Sequence, residues 1–289
     1  MTNNILLSVE SAAPVAAGPG YHFFDYKYNI EGFTSDFFSE EHIVYIILAF
    51  TLTFFLCWLF RKTRHSTVDR LLKVMSIVMP VLEITKVTWE SWWDVTTGRG
   101  FNWGGLLPIY TCSLFIYSLL FAAWSRGKAR EYCLSFITTV SLLYGAVGIV
   151  HCNGLNWYPF WTFGAFYSLF FHTAMFATGL FLLATGYKKL DWGDPLRQMV
   201  PVLALSVVTI PVDYILQTDY MMVWNGGGVP YYEGLAAWLA SKGLRPLYTA
   251  LMLITHIPLA MIVVGGYRVA EGVIKAVELK REEREEIKT

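Results

Sequence analysis

The chain has 289 residues, of which 55% are hydrophobic and only 15% are charged, and its formal net charge is zero. This composition excludes an ordinary soluble domain, and the balanced charge argues against a general affinity for nucleic acid. We therefore expect an all-α, polytopic membrane protein. The first twenty residues have neither the basic region nor the long apolar region of a cleaved signal peptide.

Seven apolar segments follow the N-terminal region, each of about the 17 to 25 residues that a helical crossing needs. The predicted crossings are 42–60, 71–93, 106–124, 132–150, 162–184, 199–216 and 246–265. Ser39 is the expected N-cap of the first, because acidic residues follow it. Three regions result: an acidic, aromatic surface segment over 1–42, a seven-helix transmembrane domain over 43–265, and a charged helical tail over 266–289.

The Lys and Arg residues predict the orientation of these crossings. Most of them lie in the loops after the first, third and fifth predicted helices and in the C-terminal tail. The positive-inside rule then places the N-terminus outside and the C-terminus in the cytoplasm, as in a multi-pass protein of the cell membrane. In the long loop after the sixth helix, YYEGLAAWLASKG predicts a short surface helix, which serves either as a lid or as surface padding.

Ionisable residues recur in the outer half of several predicted helices. A rise of about 1.5 Å per residue gives three depths below the outer boundary. These are roughly 5 Å for Glu90 and Asp213, roughly 10 Å for Cys112 and Lys86, and roughly 15 Å for Glu83, His172 and His256. Such residues cost about 2.5 to 3.5 kcal/mol each in lipid, so we expect them to line one polar cavity. The charges on the second helix either bind a polar headgroup or form a salt bridge that ties helices together.

Cys112 is the candidate nucleophile, expected one or two turns inside the third helix. A cysteine needs a base to act in this way, and His172 and His256 are at nearly the right depth. The alternatives are that Cys112 is a small core residue and that each histidine is hydrogen-bonded within the core. The four cysteines have no paired spacing, and the histidines and carboxylates form no close ligand pair, so we expect neither disulfide, metal nor cofactor.

Several stretches together resemble a known family of membrane proteins. They are FFSEEHIVYI, LLPIYTCSLFIY, YPFWTFGAFYSLFFHTAM, VDYILQTDYMMVW and GLRPLYTALMLITH. In order and spacing they resemble the bacterial YwaF family over residues from about 36 to 265. That family is similar to the eukaryotic transmembrane protein 164 acyltransferases, which remodel phospholipids using a proposed cysteine acyl carrier.

The resemblance implies roles for individual residues. Its cysteine motif ends at Cys112, its fifth-helix histidine falls on His172, and its motif after the sixth helix falls on Asp219 and Tyr220. The chain departs from the pattern at three positions: Tyr110 replaces a usual histidine, and Asp213 and Asp219 replace usual asparagines. If the missing histidine is the base in relatives, this protein either uses His172 or does not run the same reaction.

These observations favour an enzyme that handles phospholipid acyl chains, an acyltransferase or a thioesterase-like enzyme. Cys112 and His172 are the predicted catalytic pair, and membrane lipids are the predicted partners, with no nucleic acid and no protein partner identified. The predicted substrate-binding residues are Glu83, Lys86, Glu90, Tyr110, Asp213, Asp219, Tyr220 and His256. The first alternative is a small-molecule permease or lipid-binding protein without catalysis. The second is an assembly subunit whose charged tail docks a cytoplasmic partner.

Overall fold

The computed structural model describes residues 21–227 and 230–286, and every regular element in these ranges is a helix. The α-helices are α1 (Glu40–Leu59), α2 (His65–Thr96), α3 (Trp103–Leu106), α4 (Leu114–Trp124), α5 (Gly127–Phe136), α6 (Leu142–Val150), α7 (Phe163–Ala184), α8 (Asp194–Arg197), α9 (Met199–Leu216), α10 (Pro230–Ser241), α11 (Arg245–Ile254) and α12 (His256–Glu286). The predicted all-α fold is confirmed for the described residues. What was predicted for residues 1–20 lies outside them.

Within the described ranges, five helical stretches are long and apolar enough to cross a membrane. They are Glu40–Leu59, Gly127–Asn156, Phe163–Ala184, Asp194–Leu216 and Arg245–Lys280. Helix α2 has 32 residues but carries charged side chains, and α4 has 11 residues, which span only about half of a bilayer. The chain is therefore a multi-pass membrane protein.

The start of α1 follows the sequence prediction closely. The Ser39 hydroxyl accepts a hydrogen bond from the backbone N–H of His42 at 3.3 Å, so the predicted N-cap is confirmed. Glu40 and Glu41 occupy the first turn, where the positive end of the helix dipole favours acidic side chains.

The predicted third helix is interrupted, and this part of the prediction is wrong. Residues 107–113 between α3 and α4 are not helical. Pro108 explains the break, because its ring disfavours the helical conformation at Leu107, which is extended. The Tyr117 hydroxyl donates to the Pro108 carbonyl at 2.9 Å. Irregular backbone at membrane depth is tolerated where protein covers it in this way.

Helices α5 and α6 form one continuous helix through a π-helical segment at Ile137–Ser141. This helix begins at Gly127, earlier than the predicted crossing. It packs closely on α7, since a Cβ added to Gly145 would lie 2.4 Å from the backbone nitrogen of Phe176. The glycine therefore permits the two backbones to approach.

The last crossing is made of α11 and α12, which meet at Thr255. Helix α12 does not end at Gly265 but continues into the charged tail. Its 31 residues span roughly 46 Å, which is longer than the hydrocarbon core of about 30 Å. The loop before this crossing contains α10, which confirms the predicted short helix.

A buried carboxylate ties α8 to its neighbours at the end of the bundle where most basic residues lie. Asp194 is 0% exposed and accepts hydrogen bonds from Ser135 Oγ at 2.6 Å and Lys188 Nζ at 2.7 Å. Arg197 Nη1 lies 3.4 Å from the same Asp194 oxygen and 2.7 Å from Asp191. Several of the basic residues at this end are thus already paired within the protein.

Residues 21–38, here called the N-terminal segment, lie at the other end of the bundle. They cross the C-terminal end of α2 and the N-terminal end of α7. The Phe24 carbonyl accepts hydrogen bonds from the indole N–H groups of Trp89 and Trp93, at 3.1 and 3.3 Å. Tyr26 is 1% exposed, stacks on Trp93 with centroids 6.2 Å apart, and donates to Asp94 at 3.0 Å. The segment is therefore packed into the fold.

We expect Tyr26→Phe to loosen the N-terminal segment. Asp94 is buried, and its second oxygen has no hydrogen-bond partner among the described residues. Losing a hydrogen bond to a charged group costs about 1.5–3 kcal/mol. Hydrogen exchange should therefore become faster across residues 21–38. Tyr28→Phe is the control, because the Tyr28 ring is 48% exposed, and equal exchange in the two variants would contradict the role of the Tyr26 hydroxyl.

Candidate functional site

Three buried carboxylates follow one face of α2, and each accepts a hydrogen bond from a tyrosine. Glu83 and Glu90 are each 8% exposed, and Asp94 is 2% exposed. The spacing of seven and four residues places them on one side of the helix. Tyr167 donates to Glu83, Tyr158 to Glu90 at 3.2 Å, and Tyr26 to Asp94. We call these six residues the carboxylate–tyrosine ladder.

The tyrosines of the ladder act as neutral donors. Burial raises the pKa of the Tyr158 phenol, and the Glu90 carboxylate beside it raises this pKa further. Burial likewise raises the pKa of Tyr26, and so does its hydrogen bond to Asp94. Both phenols therefore keep their protons at neutral pH and can stabilise charge on the carboxylates.

Lys86 is the cation that faces this ladder. Its Nζ lies 2.9 Å from Glu90 Oε2, and the two side chains are only 18% and 11% exposed. The ammonium also lies 6.0 Å from the centroid of the Tyr167 ring. Among the described residues, Glu90 is the carboxylate of the ladder that forms an ion pair with Lys86, so the ladder carries more carboxylates than this lysine can neutralise.

Cys112 lies in the turn that leads into α4, and not inside the helix as predicted. Its carbonyl accepts the backbone N–H of Phe115 at 3.0 Å, so it directly precedes the first helical turn. The side chain is half-buried and within electrostatic range of Glu83 and Lys86. A helix N-terminus and an ammonium both attract the negative charge of a thiolate, whereas Glu83 repels it.

His172 has one ring nitrogen without a hydrogen-bond partner among the described residues. Its Nδ1 lies 2.8 Å from the Ser168 carbonyl, and a carbonyl can only accept, so Nδ1 carries the proton and Nε2 has a lone pair. The ring packs directly on α6, since a Cβ added to Gly148 would lie 2.0 Å from Cδ2. The side chain is half-buried, and Nε2 also lies beside α6, since the same Cβ would be 2.7 Å from it.

His256 is a second imidazole with an unused lone pair, and its Nε2 is buried without a hydrogen-bond partner in the described residues. Its Nδ1 lies 3.1 Å from the Leu253 carbonyl, and its ring meets Tyr144 edge-on at 5.9 Å. Tyr144 is also within electrostatic range of Cys112. It lies on α6, four residues before Gly148, and therefore on the same helix face.

The described hydrogen bonds do not join Cys112 to either histidine. What the structure brings together around Cys112 are Glu83 and Lys86, with Tyr144 on a further element. Through Gly148, His172 contacts the same face of α6 as Tyr144. The thiol and the two imidazoles thus each lie near residues of the same helix, α6.

Tyr110 and Tyr220 lie together at the break before α4, with ring centroids 4.7 Å apart. The Tyr220 hydroxyl also holds the backbone around α3, because it accepts the N–H of Leu107 at 3.3 Å. Asp213 accepts the backbone N–H of Tyr220 at 3.0 Å and the Thr218 hydroxyl at 2.8 Å. These contacts order the irregular segments beside Cys112.

Asp219 organises the loop that follows α9. Its carboxylate accepts three backbone N–H groups at 2.8 Å, from Trp224, Asn225 and Gly227. An asparagine, with one carbonyl oxygen, offers fewer acceptor sites for three donors. The aspartate at this position therefore has a structural explanation within the loop.

We expect Gly148→Ala to destabilise the protein by about 1–3 kcal/mol, because the new methyl group would overlap the His172 ring. Gly265→Ala is the matched control, since a Cβ there meets nothing within 4 Å and alanine is favoured in helices. Thermal unfolding in detergent measures the stability of both variants. A Gly148→Ala midpoint equal to that of the wild type would contradict the close packing of His172 on α6.

Several residues of the site were not predicted from the sequence. Asp94 could have been predicted as a member of the site, because it lies four residues after Glu90 on the same helix face. Tyr144, Tyr158 and Tyr167 carry no such signal in their own segments. Within the described residues, no group of three or more His, Cys, Asp and Glu side chains could hold a metal ion.

The fold and the site together define an all-helical, multi-pass membrane protein with a half-buried thiol among ionisable side chains. A family model described as the TMEM164 family matches residues 37–265. The chain therefore belongs to the TMEM164 family. No curated protein and no solved structure matches it.

Proposed function

We propose that this protein is a membrane-embedded lipid acyltransferase, or a thioesterase-like enzyme, which uses Cys112 as an acyl carrier. The observation that carries the proposal is the position of Cys112 at the N-terminus of α4, within range of Lys86 and Glu83. The TMEM164 membership supports it, because the sequence resemblance places that family's proposed acyl-carrier cysteine at this position.

The first step of the proposed reaction is attack on a phospholipid ester. His172 takes the thiol proton of Cys112 on Nε2, and the sulfur bonds to the carbonyl carbon. The ester C–O bond then breaks, and the imidazolium returns the proton to the departing oxygen. The products are a thioester on Cys112 and a lysolipid.

The second step releases the acyl chain. An acceptor hydroxyl loses its proton to His172, its oxygen attacks the thioester carbon, and the proton passes to the leaving sulfur. A lysolipid acceptor gives acyl transfer, and water gives hydrolysis. His256 is the second candidate base, because its Nε2 is also unpaired among the described residues.

The remaining predicted residues are assigned to the substrate and to the walls of the site. Glu83, Lys86 and Glu90 orient the polar headgroup, and Tyr110 borders the thiol. Asp213, Asp219 and Tyr220 order the segments beside it, so that their contribution to substrate binding is indirect.

The proposed topology has seven crossings, with the N-terminus outside and the C-terminus in the cytoplasm of a bacterial cell. The five long apolar helices account for five of them. Helix α2, and α4 with the irregular residues before it, supply the other two. This orientation places Cys112 in the outer half of the membrane, and no cofactor is required.

Acyl exchange in liposomes tests the proposal. Purified protein is reconstituted with a diacyl phospholipid that carries a labelled acyl chain and with an unlabelled lysolipid. We expect the label to appear in newly formed diacyl lipid or as free fatty acid. Absence of both products would contradict an acyl-transfer function.

A permease or binding protein is the second candidate, favoured by the irregular backbone over residues 107–113 at membrane depth. Transporters build solute sites at such breaks. The same liposomes separate the two functions. Solute flux that persists in Cys112→Ser liposomes, without acyl exchange in the wild type, would support the permease.

A further inference from the structure

We infer that a groove between α4, α5 and α9 holds the acyl chain of the lipid substrate. This inference rests on the proposed function and adds the place where the apolar part of the substrate lies. The groove has a volume of about 450 Å³ and opens at the surface of the helical bundle. It is separate from the carboxylate–tyrosine ladder on α2.

The chemistry of the groove fits a hydrocarbon chain, because none of the side chains that line it is charged. Aliphatic side chains dominate, among them Leu114 on α4 and Val208 on α9. Two alanines, Ala129 on α5 and Ala204 on α9, leave room between the helices. A chain in this position would exchange contacts with membrane lipid for contacts with protein, and packing would determine its fit.

The groove is continuous with the segment that carries the thiol. Ile109 and Leu114 both line it, and Cys112 lies between them in the sequence. From Leu114 to Phe121 the groove follows α4 for roughly 10 Å, given a rise of about 1.5 Å per residue. Cys112 itself does not line the groove, so a chain bonded there would enter it past Leu114 and then follow an uncharged path along α4.

A second, larger cavity of about 680 Å³ lies between the N-terminal segment, α1 and α7, and it fits the acyl chain less well. Glu40 and Glu41 border that cavity, so charged groups stand at one side of it. It is lined by none of the residues from 107 to 114. The groove along α4 combines an uncharged lining with proximity to Cys112, and it is therefore the site that we assign to the chain.

The test fills the groove without touching the catalytic groups. Ala204→Phe places an aromatic ring in the groove, and Val207→Phe is the matched control, since Val207 is 74% exposed and does not line it. A phosphatidylcholine with a diazirine in its acyl chain is cross-linked to each protein in liposomes, and the labelled peptides are identified. A Cys112→Ala background keeps this readout independent of catalysis.

We expect cross-links on peptides of α4, α5 and α9, reduced several-fold by Ala204→Phe and unchanged by Val207→Phe. With Cys112 present, Ala204→Phe should also shift acyl exchange toward shorter chains. Cross-links confined to α1 and α7, or an unchanged chain preference alongside normal exchange, would overturn the groove assignment and leave the proposed function intact. Groove cross-links with no exchange by the wild type would instead overturn the proposed function, and with it the groove as a substrate site.

Discussion

Replacing Cys112 with serine should lower acyl exchange at least about 100-fold, because an alcohol is a weak nucleophile unless a matched base activates it. The substitution changes one atom of a half-buried side chain and leaves the backbone bonds that begin α4 in place. The variant should therefore fold and insert like the wild type. Initial rates of label transfer in liposomes provide the measurement.

Cys57→Ser and Cys152→Ser are the controls for this experiment. Both residues are buried free cysteines that lie outside α4 and outside the groove, so each substitution tests the general cost of losing a thiol. We expect both controls to retain exchange within a few-fold of the wild type. Full exchange by Cys112→Ser, or an equal loss in the controls, would show that Cys112 has no special chemical role.

Lys86→Met should destabilise the protein by about 3–5 kcal/mol, because it leaves Glu90 buried without its cation. The pair is closely bonded at 2.9 Å and largely shielded from solvent. Glu83 and Asp94 lie on the same helix face, so the variant would keep a run of carboxylates without a positive charge. Thermal or denaturant unfolding in detergent measures the loss.

The double variant Lys86→Met/Glu90→Gln provides the critical comparison. Removing both charges deletes the pair without leaving an isolated ion, so most of the lost stability should return. Lys128→Met, at an exposed position on α5, controls for the loss of a lysine and should change stability by less than about 0.5 kcal/mol. A single variant as stable as the wild type would mean that the pair contributes nothing to the fold.

Much of the helical framework could be predicted from the sequence, because hydrophobic length and capping are local signals. Ser39 marks the start of α1, and α9 has the predicted bounds Met199–Leu216. The break before α4 was missed even though Pro108 stands in it. The long apolar run over 106–124 predicts one helix, whereas Pro108 and its hydrogen-bond partner Tyr117 determine the local backbone.

The ionisable residues and the cysteine of the candidate site could be predicted from the sequence, but the side chains that pair with them could not. Glu83, Lys86 and Cys112 stand out because ionisable and thiol groups inside apolar segments are conspicuous. The tyrosine that pairs with Glu83 lies 84 residues away, and such a pairing depends on how α2 and α7 pack. For the same reason no local pattern reveals that His172 rests on Gly148.

The most direct test of the account is the intact mass of the protein after incubation with a phospholipid of defined chain. The account predicts an added mass equal to one acyl group less a hydrogen, removed by hydroxylamine and absent from Cys112→Ala. Peptide mapping should place it on the segment that contains Cys112. Acyl exchange without this adduct, or an adduct that persists in Cys112→Ala, would contradict the acyl-carrier role.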